Sequence, residues 1–342
     1  MIKKLVLFLL CVSTLVLGRS EFNYYSDQNR ELMLLPQSTA LAGADLALNS
    51  GSGYYGSAAN LPYDTMNSLS LSYANYFQNT FSSSILSYTG PAGKNNGIGI
   101  TAGYVYVPEI PDTRKSTETP NKTVIHQYEM KNGSDIFIRF GYGHALDFRN
   151  KWTFSAGVAA NARRTRLIEE SGYGIGLDAG LKAIHKKSNL SMVLQLDNMT
   201  THYTYWSKYY KEYAYPHLRL GLGFDRSLPY IYGRIRVGYA SPDLLANDGI
   251  NYVKVVSDTN QQDIEVLDHR SLSDEPQLLI SGGKIGVEYT IMNRLALRAG
   301  LAQGKVNFGA GLLLFSNRAG VDFAYTTHQL AGTYQVSLLY RW

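Results

Sequence analysis

The side chains that could do chemistry are seven histidines, one cysteine (Cys11) and scattered charged residues. No two histidines have the i, i+4 spacing with which a helix holds zinc, so the sequence predicts no metal site. Distant segments can assemble a Ser-His dyad, but no local signature marks one here. We therefore expect neither an enzyme nor a bound cofactor.

Two glycine-rich strings, GIGITAG at 97–103 and GYGIGLDAG at 172–180, superficially suggest nucleotide-binding loops. In both strings the glycines lie within alternating stretches that are typical of strands. Such glycines let a neighbouring backbone approach closely, and we prefer this interpretation. The net charge of +5 is mild and spread along the chain, which argues against nucleic-acid binding.

A set of charged residues alternates with apolar residues, on the opposite side of the same stretches. In a closed sheet these charges would face the lumen and guide a polar solute, or pair with one another and with a plug. Because both signs are interspersed, pairing is the favoured interpretation. The members are Arg139, Arg163, Asp178, Arg219, Arg234, Arg236, Arg298 and Asp322.

An aromatic segment at 202–215, HYTYWSKYYKEYAY, is the second candidate functional feature. Amphipathic aromatic side chains bind protein or sugar surfaces at little entropic cost, and they also form the girdles of membrane barrels. The sequence leaves both roles open. The residues are Tyr203, Tyr205, Trp206, Tyr209, Tyr210, Tyr213 and Tyr215.

Alternation of apolar residues with small or polar ones recurs along most of the chain, and period two is the signal of a strand. Aromatic residues at the strand ends indicate a membrane interface rather than a sandwich core. The pattern predicts an all-β fold, a transmembrane antiparallel β-barrel of about fourteen strands. They are expected at 66–76, 82–90, 97–107, 134–144, 151–163, 172–183, 189–198, 216–225, 230–240, 277–289, 293–302, 304–315, 318–327 and 333–342.

Loop lengths agree with this count. The long segments 108–133, 199–215 and 241–276 all follow odd-numbered strands, whereas the turns after even-numbered strands are short. Outer-membrane barrels have short periplasmic turns and longer external loops, so the odd side is expected to be external.

The N-terminal region divides into two parts. Residues 1–20 have two lysines and an apolar run from Leu5 to Leu17, as a secretory signal does, and its removal would also remove Cys11. Residues 21–65 lack a membrane pattern but are too apolar for a free tail. We expect them to fold into the barrel (66–342) as a plug; a periplasmic extension is the alternative.

The stretch LPQSTALAGADLALNSGSGYYGSAANL at 35–61 resembles the opening motif of FadL-related outer-membrane proteins, especially the PorV/PorQ group associated with type IX secretion. The last four strands are similar to those of that group. The motif departs from the family at Ser57 and Ala58, where Asn-Pro is usual. The matching residues are Thr39, Ala40, Leu41, Gly43, Ala44, Ala59, Asn60 and Leu61.

The resemblance implies a fourteen-stranded barrel with an N-terminal hatch, a non-enzymatic protein of the bacterial outer membrane. It implies a role in protein secretion or surface attachment, with translocon components and secreted cargo as partners. The alternative is a FadL-like passive transporter of hydrophobic small molecules.

The stretch TYQVSLLYRW at 333–342 is expected to be the closing strand. Val336, Leu338, Tyr340 and Trp342 would face outer-membrane lipid, and pairing with the first strand would remove both free edges. Tyr340 and Trp342 also resemble the signal recognised by the outer-membrane assembly machinery.

Overall fold

The computed structural model describes residues 35–49, 56–112, 117–118, 124–125, 129–148, 151–207, 211–245, 251–257, 263–269, 276–302, 305–328 and 331–342. The predicted signal at 1–20 and the beginning of the predicted plug lie outside these residues. Within them, no helix is both long and apolar enough to cross a bilayer.

Fourteen antiparallel strands form a closed barrel, which confirms the predicted fold class. Each strand pairs with its neighbours in sequence, and the first pairs with the last. The strands are β1 (Ser68–Tyr76), β2 (Phe81–Pro91), β3 (Asn96–Asp112), β4 (Glu129–Phe148), β5 (Trp152–Leu167), β6 (Glu170–His185), β7 (Leu190–Asp197), β8 (His217–Leu228), β9 (Gly233–Ala240), β10 (Lys284–Ile291), β11 (Leu295–Ala302), β12 (Lys305–Leu314), β13 (Ala319–Thr326) and β14 (Thr333–Arg341).

Pairing between β1 and β14 closes the barrel, with Ser68 opposite Arg341 and Leu71 opposite Leu338. Beyond the strand, the backbone N–H of Trp342 donates to the Asn67 carbonyl at 3.1 Å. Neither β1 nor β14 is therefore left as an unpaired edge strand.

Side chains along the wall alternate between the two faces, as period two requires. On β14, Tyr334, Val336, Leu338 and Tyr340 are exposed, whereas Thr333, Gln335, Ser337 and Leu339 are buried inside. Exposed Leu, Ile, Val, Phe and Tyr side chains likewise recur along the outward face of the other strands. This apolar outer surface is the face that a membrane barrel presents to lipid.

Three sequence-based assignments need correction. Residues 108–112 and 129–133, assigned to a loop, extend β3 and β4, with a register shift between Val107 and Ile110. Residues 199–215 contain a hairpin, His202–Trp206 with Lys211–Ala214, that pairs with β6 beyond the end of β7. The predicted strand at 277–289 begins only at Lys284, because Leu278–Ser281 forms a short helix (α2).

The remaining elements are short. Helix α1 (Pro36–Ala40) and two 3-10 helices, Ala44–Ala47 and Ala58–Tyr63, precede β1, and a third 3-10 turn, Pro229–Ile231, joins β8 to β9. Two small hairpins are made by Thr117–Glu118 with Val124–Ile125, and by Asn251–Ser257 with Asp263–His269.

Candidate functional site

Two stretches before β1, residues 35–49 and 56–64, lie against the inner wall of the barrel, and we call them the lumen segment. From Pro36 onward they contact the strands in reverse order, from β13 round to β3. Four hydrogen bonds mark this path: Gln37 Nε2 to Asp322 Oδ2 on β13, 2.9 Å; Asn307 Nδ2 on β12 to Thr39 O, 2.8 Å; Ser191 Oγ on β7 to Ala47 O, 2.8 Å; and Ser155 Oγ on β5 to Ala59 O, 2.7 Å.

Inward-facing glycines make room for this path. A Cβ added to Gly157 on β5 would lie 2.3 Å from Ala58 C, and one added to Gly238 on β9 would lie 2.3 Å from Ala44 O. Gly97, from the first glycine-rich string, meets Leu61 in the same way at 2.1 Å. The backbone of the lumen segment therefore occupies the volume that side chains would fill at these positions.

Lys182 on β6 binds both stretches of the lumen segment. Its side chain is 2% exposed, and its Nζ donates to Asn49 Oδ1 at 2.5 Å and to Asn60 Oδ1 at 2.6 Å. The ammonium group also lies 5.1 Å from the centre of the Tyr63 ring, a cation–π distance. One buried cation thus links residues on either side of positions 50–55.

A charge network spans β9 to β13 beneath the first stretch of the lumen segment. Glu288 accepts from Arg236 Nε at 2.8 Å and from Arg298 Nε at 2.7 Å, and Arg298 Nη1 donates to Asp322 at 2.6 Å. Arg236 Nη1 also donates to the backbone carbonyl of Asn49 at 2.7 Å. These charges hold the wall and the lumen segment together, which is how buried charges are accommodated.

The other predicted lumen charges also lie on the inner face, in separate pairs. Arg139 donates to Asp178 at 2.9 Å, and both side chains are buried. Each of the others has a carboxylate on a neighbouring strand. These pairs are Arg163 with Asp135, 3.4 Å; Arg219 Nε with Asp197, 2.9 Å; and Arg234 with Asp225, 2.5 Å.

An apolar part of the inner surface lies at the start of the described lumen segment. Leu35, at the start of the described lumen segment, packs with Ile85 on β2, Val105 on β3 and Phe137 on β4, and all four are buried. Phe81 and Val107 pack against this group from the external ends of β2 and β3. We call these six residues the apolar lumen cluster. It lies nearer the external end of the barrel than the hydrogen bonds of Lys182 to the lumen segment do.

The resemblance motif lies within the lumen segment. Leu41, Ala44 and Leu61 contact inward glycines, and Gly43 has φ 74°, a left-handed conformation that favours glycine. At the departure from the family, Ser57 caps the 3-10 turn Ala58–Tyr63, accepting from Ala59 N at 3.2 Å. The described part of the motif therefore packs against the inner wall of the barrel. The plug formed by the whole of residues 21–65 stays a prediction.

The aromatic segment is divided by the hairpin. Tyr203 and Tyr205 face outward and are exposed, whereas their neighbours His202 and Thr204 are buried on the inner side. Tyr213 lies beside Tyr203, with ring centres 6.4 Å apart. Trp206 is half-buried, Tyr215 contacts Tyr213, and Tyr209 and Tyr210 lie outside the described residues.

The described residues include no group of three His, Cys, Asp or Glu side chains placed to hold a metal. One Ser-His pair lies within hydrogen-bond distance, since His185 Nδ1 is 2.7 Å from Ser188 Oγ. The same nitrogen accepts from the backbone N–H of Ser188 at 3.3 Å. This contact closes a four-residue turn.

No family model matches the chain, and no curated protein matches it in sequence. Solved structures do share its fold. A monoaromatic hydrocarbon channel, CymD, superposes with a TM-score of 0.50 at 13% identity, covering 94% of this chain and 97% of CymD. The toluene transporters TbuX of Ralstonia pickettii (TM-score 0.47, 13% identity, 90% and 97% covered) and TodX of Pseudomonas putida (0.46, 11%, 95% and 95%) are also similar.

The chain thus has the fold of FadL-type outer-membrane channels, and it is an outer-membrane protein whose exposed wall is the lipid-facing side of a fourteen-stranded barrel.

Proposed function

We propose that this protein is a passive channel for small hydrophobic molecules across the outer membrane. The observation that carries the proposal is the apolar lumen cluster, because the inward-facing side chains of Ile85, Val105 and Phe137 give the external end of the inner wall a hydrophobic surface. A hydrophobic solute that enters from the external side meets this surface before it reaches the hydrogen bonds of Lys182 to the lumen segment. The hydrocarbon channels that share the fold agree with this substrate class.

The test is uptake of toluene into proteoliposomes that contain the purified chain. Phe137→Asn places an amide in the apolar lumen cluster and is expected to lower the uptake rate several-fold, whereas Phe137→Leu keeps the surface apolar and should retain most of it. Sucrose leakage should be equal in both variants. Uptake no faster than in empty liposomes, or equal rates in the two variants, would contradict the proposal.

A PorV/PorQ-like role in protein secretion or surface attachment is the second proposal. Its support is the motif in the lumen segment and the aromatic hairpin, which extends the wall beyond the end of β7. Co-purification of a secreted protein or translocon component, lost when Trp206 is replaced by Ala, would favour this role. Retention of secreted proteins at the surface of a deletion strain would count against it.

A further inference from the structure

The outward surface at the external ends of β5, β6 and the hairpin combines three cations with two tyrosines. The residues are Arg164, Arg166, Tyr173, Tyr205 and Lys211, and we call them the basic–aromatic patch. All five side chains are exposed. The guanidinium of Arg164 lies 5.7 Å from the centre of the Tyr173 ring, and Lys211 Nζ lies 5.8 Å from that of Tyr205. The rings thus hold two of the cations at the surface.

Strand register makes the patch continuous. Arg164 on β5 pairs with Tyr173 on β6, Tyr173 pairs with Tyr205, and Tyr205 pairs with Lys211. Directly paired residues share one face of a sheet, so these four side chains form a row on the outer face. Three inter-strand steps of about 4.8 Å separate Arg164 from Lys211 by roughly 14 Å.

The height of the patch follows from the strand that carries it. Trp152 begins β5 at the opposite end, and the outward residues after it, such as Phe154 and Val158, form part of the apolar belt. Arg164 follows Trp152 by about twelve residues, which is about 40 Å along the strand and about 28 Å in height at a tilt of ~45°. Because the apolar band of such a barrel is about 25 Å tall, Arg164 lies at its external boundary.

The acidic side chains that the structure describes near these cations have other partners or face inward. Within the described part of the chain, Arg164, Arg166 and Lys211 have no ion pair with a carboxylate. Glu169 is in the β5–β6 turn and lies 3.5 Å from Lys131, and Glu212 is paired with the inward-facing Thr204. The patch therefore presents net positive charge at the level of the outer-leaflet headgroups.

We infer that the basic–aromatic patch binds a phosphorylated lipid of the outer leaflet, a glycolipid with phosphates at both ends of a disaccharide headgroup. Arg and Lys supply charge-assisted bonds to phosphate oxygens, and tyrosines at the interface pack against sugar and the first acyl carbons. Two cation sites about 14 Å apart fit a headgroup with two separated phosphates better than a single one. The inference depends on the outer-membrane location and not on the transported solute.

The test is native mass spectrometry of the full-length chain in detergent, titrated with bisphosphorylated lipid A. The triple variant Arg164→Gln/Arg166→Gln/Lys211→Gln is expected to retain the lipid at least tenfold less than the wild type. A double variant at the opposite end of the barrel, Lys187→Gln/Arg226→Gln, removes exposed cations and should bind as the wild type does. Heat-modifiable migration of all variants on gels verifies that the barrels are folded.

Three further arms separate the sources of binding. Monophosphorylated lipid A should bind the wild type more weakly, phosphatidylglycerol more weakly still, and millimolar inorganic phosphate should not displace the bisphosphorylated lipid. Equal retention by the triple variant and the wild type would overturn the assignment, as would displacement by inorganic phosphate. A triple variant that keeps the lipid but loses a secreted protein would instead assign the patch to protein contact.

Discussion

The contact between Gly300 and the lumen segment provides the sharpest test of the inner-wall arrangement. A Cβ at Gly300 would lie 2.4 Å from Leu41 C and 2.5 Å from Ala42 N, both backbone atoms that cannot rotate away. Relief to ordinary contact requires a shift of about 1 Å. Overpacking of this kind costs about 1–3 kcal/mol. Since 1.4 kcal/mol is a factor of ten, Gly300→Ala should raise the released fraction of the lumen segment about 5- to 150-fold.

Accessibility of the segment measures this release. In a Leu48→Cys background, a bulky maleimide should label the Gly300→Ala variant faster by that factor, and bilayer recordings should show a matching gain in open time. Gly133→Ala on β4 is the matched control, because its nearest neighbour is the flexible end of Ile110 at 3.1 Å. Equal labelling of the Gly300→Ala and Gly133→Ala variants would refute the view that strand glycines hold the segment.

Four further perturbations are expected to act in defined directions. Lys182→Met removes two hydrogen bonds to the lumen segment, worth about 1 kcal/mol each, and should raise open time tenfold or more in the same recordings. Glu288→Gln removes the carboxylate charge that the buried Arg298 shares with the mostly buried Arg236, and it should lower the free energy of unfolding in urea by about 3–5 kcal/mol. An unchanged unfolding midpoint would contradict the network. Burial raises the pKa of Asp64 to about 6, so the folded state binds this proton more tightly than the unfolded chain does. The free energy of unfolding should therefore fall as the pH rises from about 4 to 6. Asp64→Asn should abolish this pH dependence in thermal melts. Deletion of Tyr340 to Trp342 removes part of the closing strand, and normal heat-modifiable barrel in that mutant would disprove its need for assembly.

Much of the wall could be predicted because local alternation determines it. On β14, Val336 and Leu338 face outward and Gln335 and Ser337 inward, as period two requires once one face meets lipid. Closure with β1 also followed, because an unpaired edge in a bilayer is too costly. The hairpin is harder to predict: His202 and Thr204 alternate with Tyr203 as in any strand, but the crowding of tyrosines favours a loop.

The interior was harder to predict because its partners are far apart in sequence. Lys182 is visibly inward from its strand, but nothing local indicates that Asn49 and Asn60 receive its ammonium group. The sequence does carry a signal for the apolar lumen cluster. Val105 and Phe137 stand between outward apolar residues, so their strands are apolar on both faces at the external end, which a plain polar lumen does not require.

The two kinds of inner surface differ in what it costs to open them. The network around Glu288 and Arg298 is directional and buried, and breaking such a pair costs about 3–5 kcal/mol. Removing Leu35 from the apolar lumen cluster loses only the hydrophobic free energy of its burial, about 1.5–3 kcal/mol. A small hydrophobic solute that takes the place of Leu35 restores this free energy. A solute of a few carbons can therefore displace the start of the lumen segment while Glu288, Arg298 and Asp322 keep the following stretch on the wall. This ordering of costs predicts graded opening, from the apolar lumen cluster inward, and not expulsion of the whole segment.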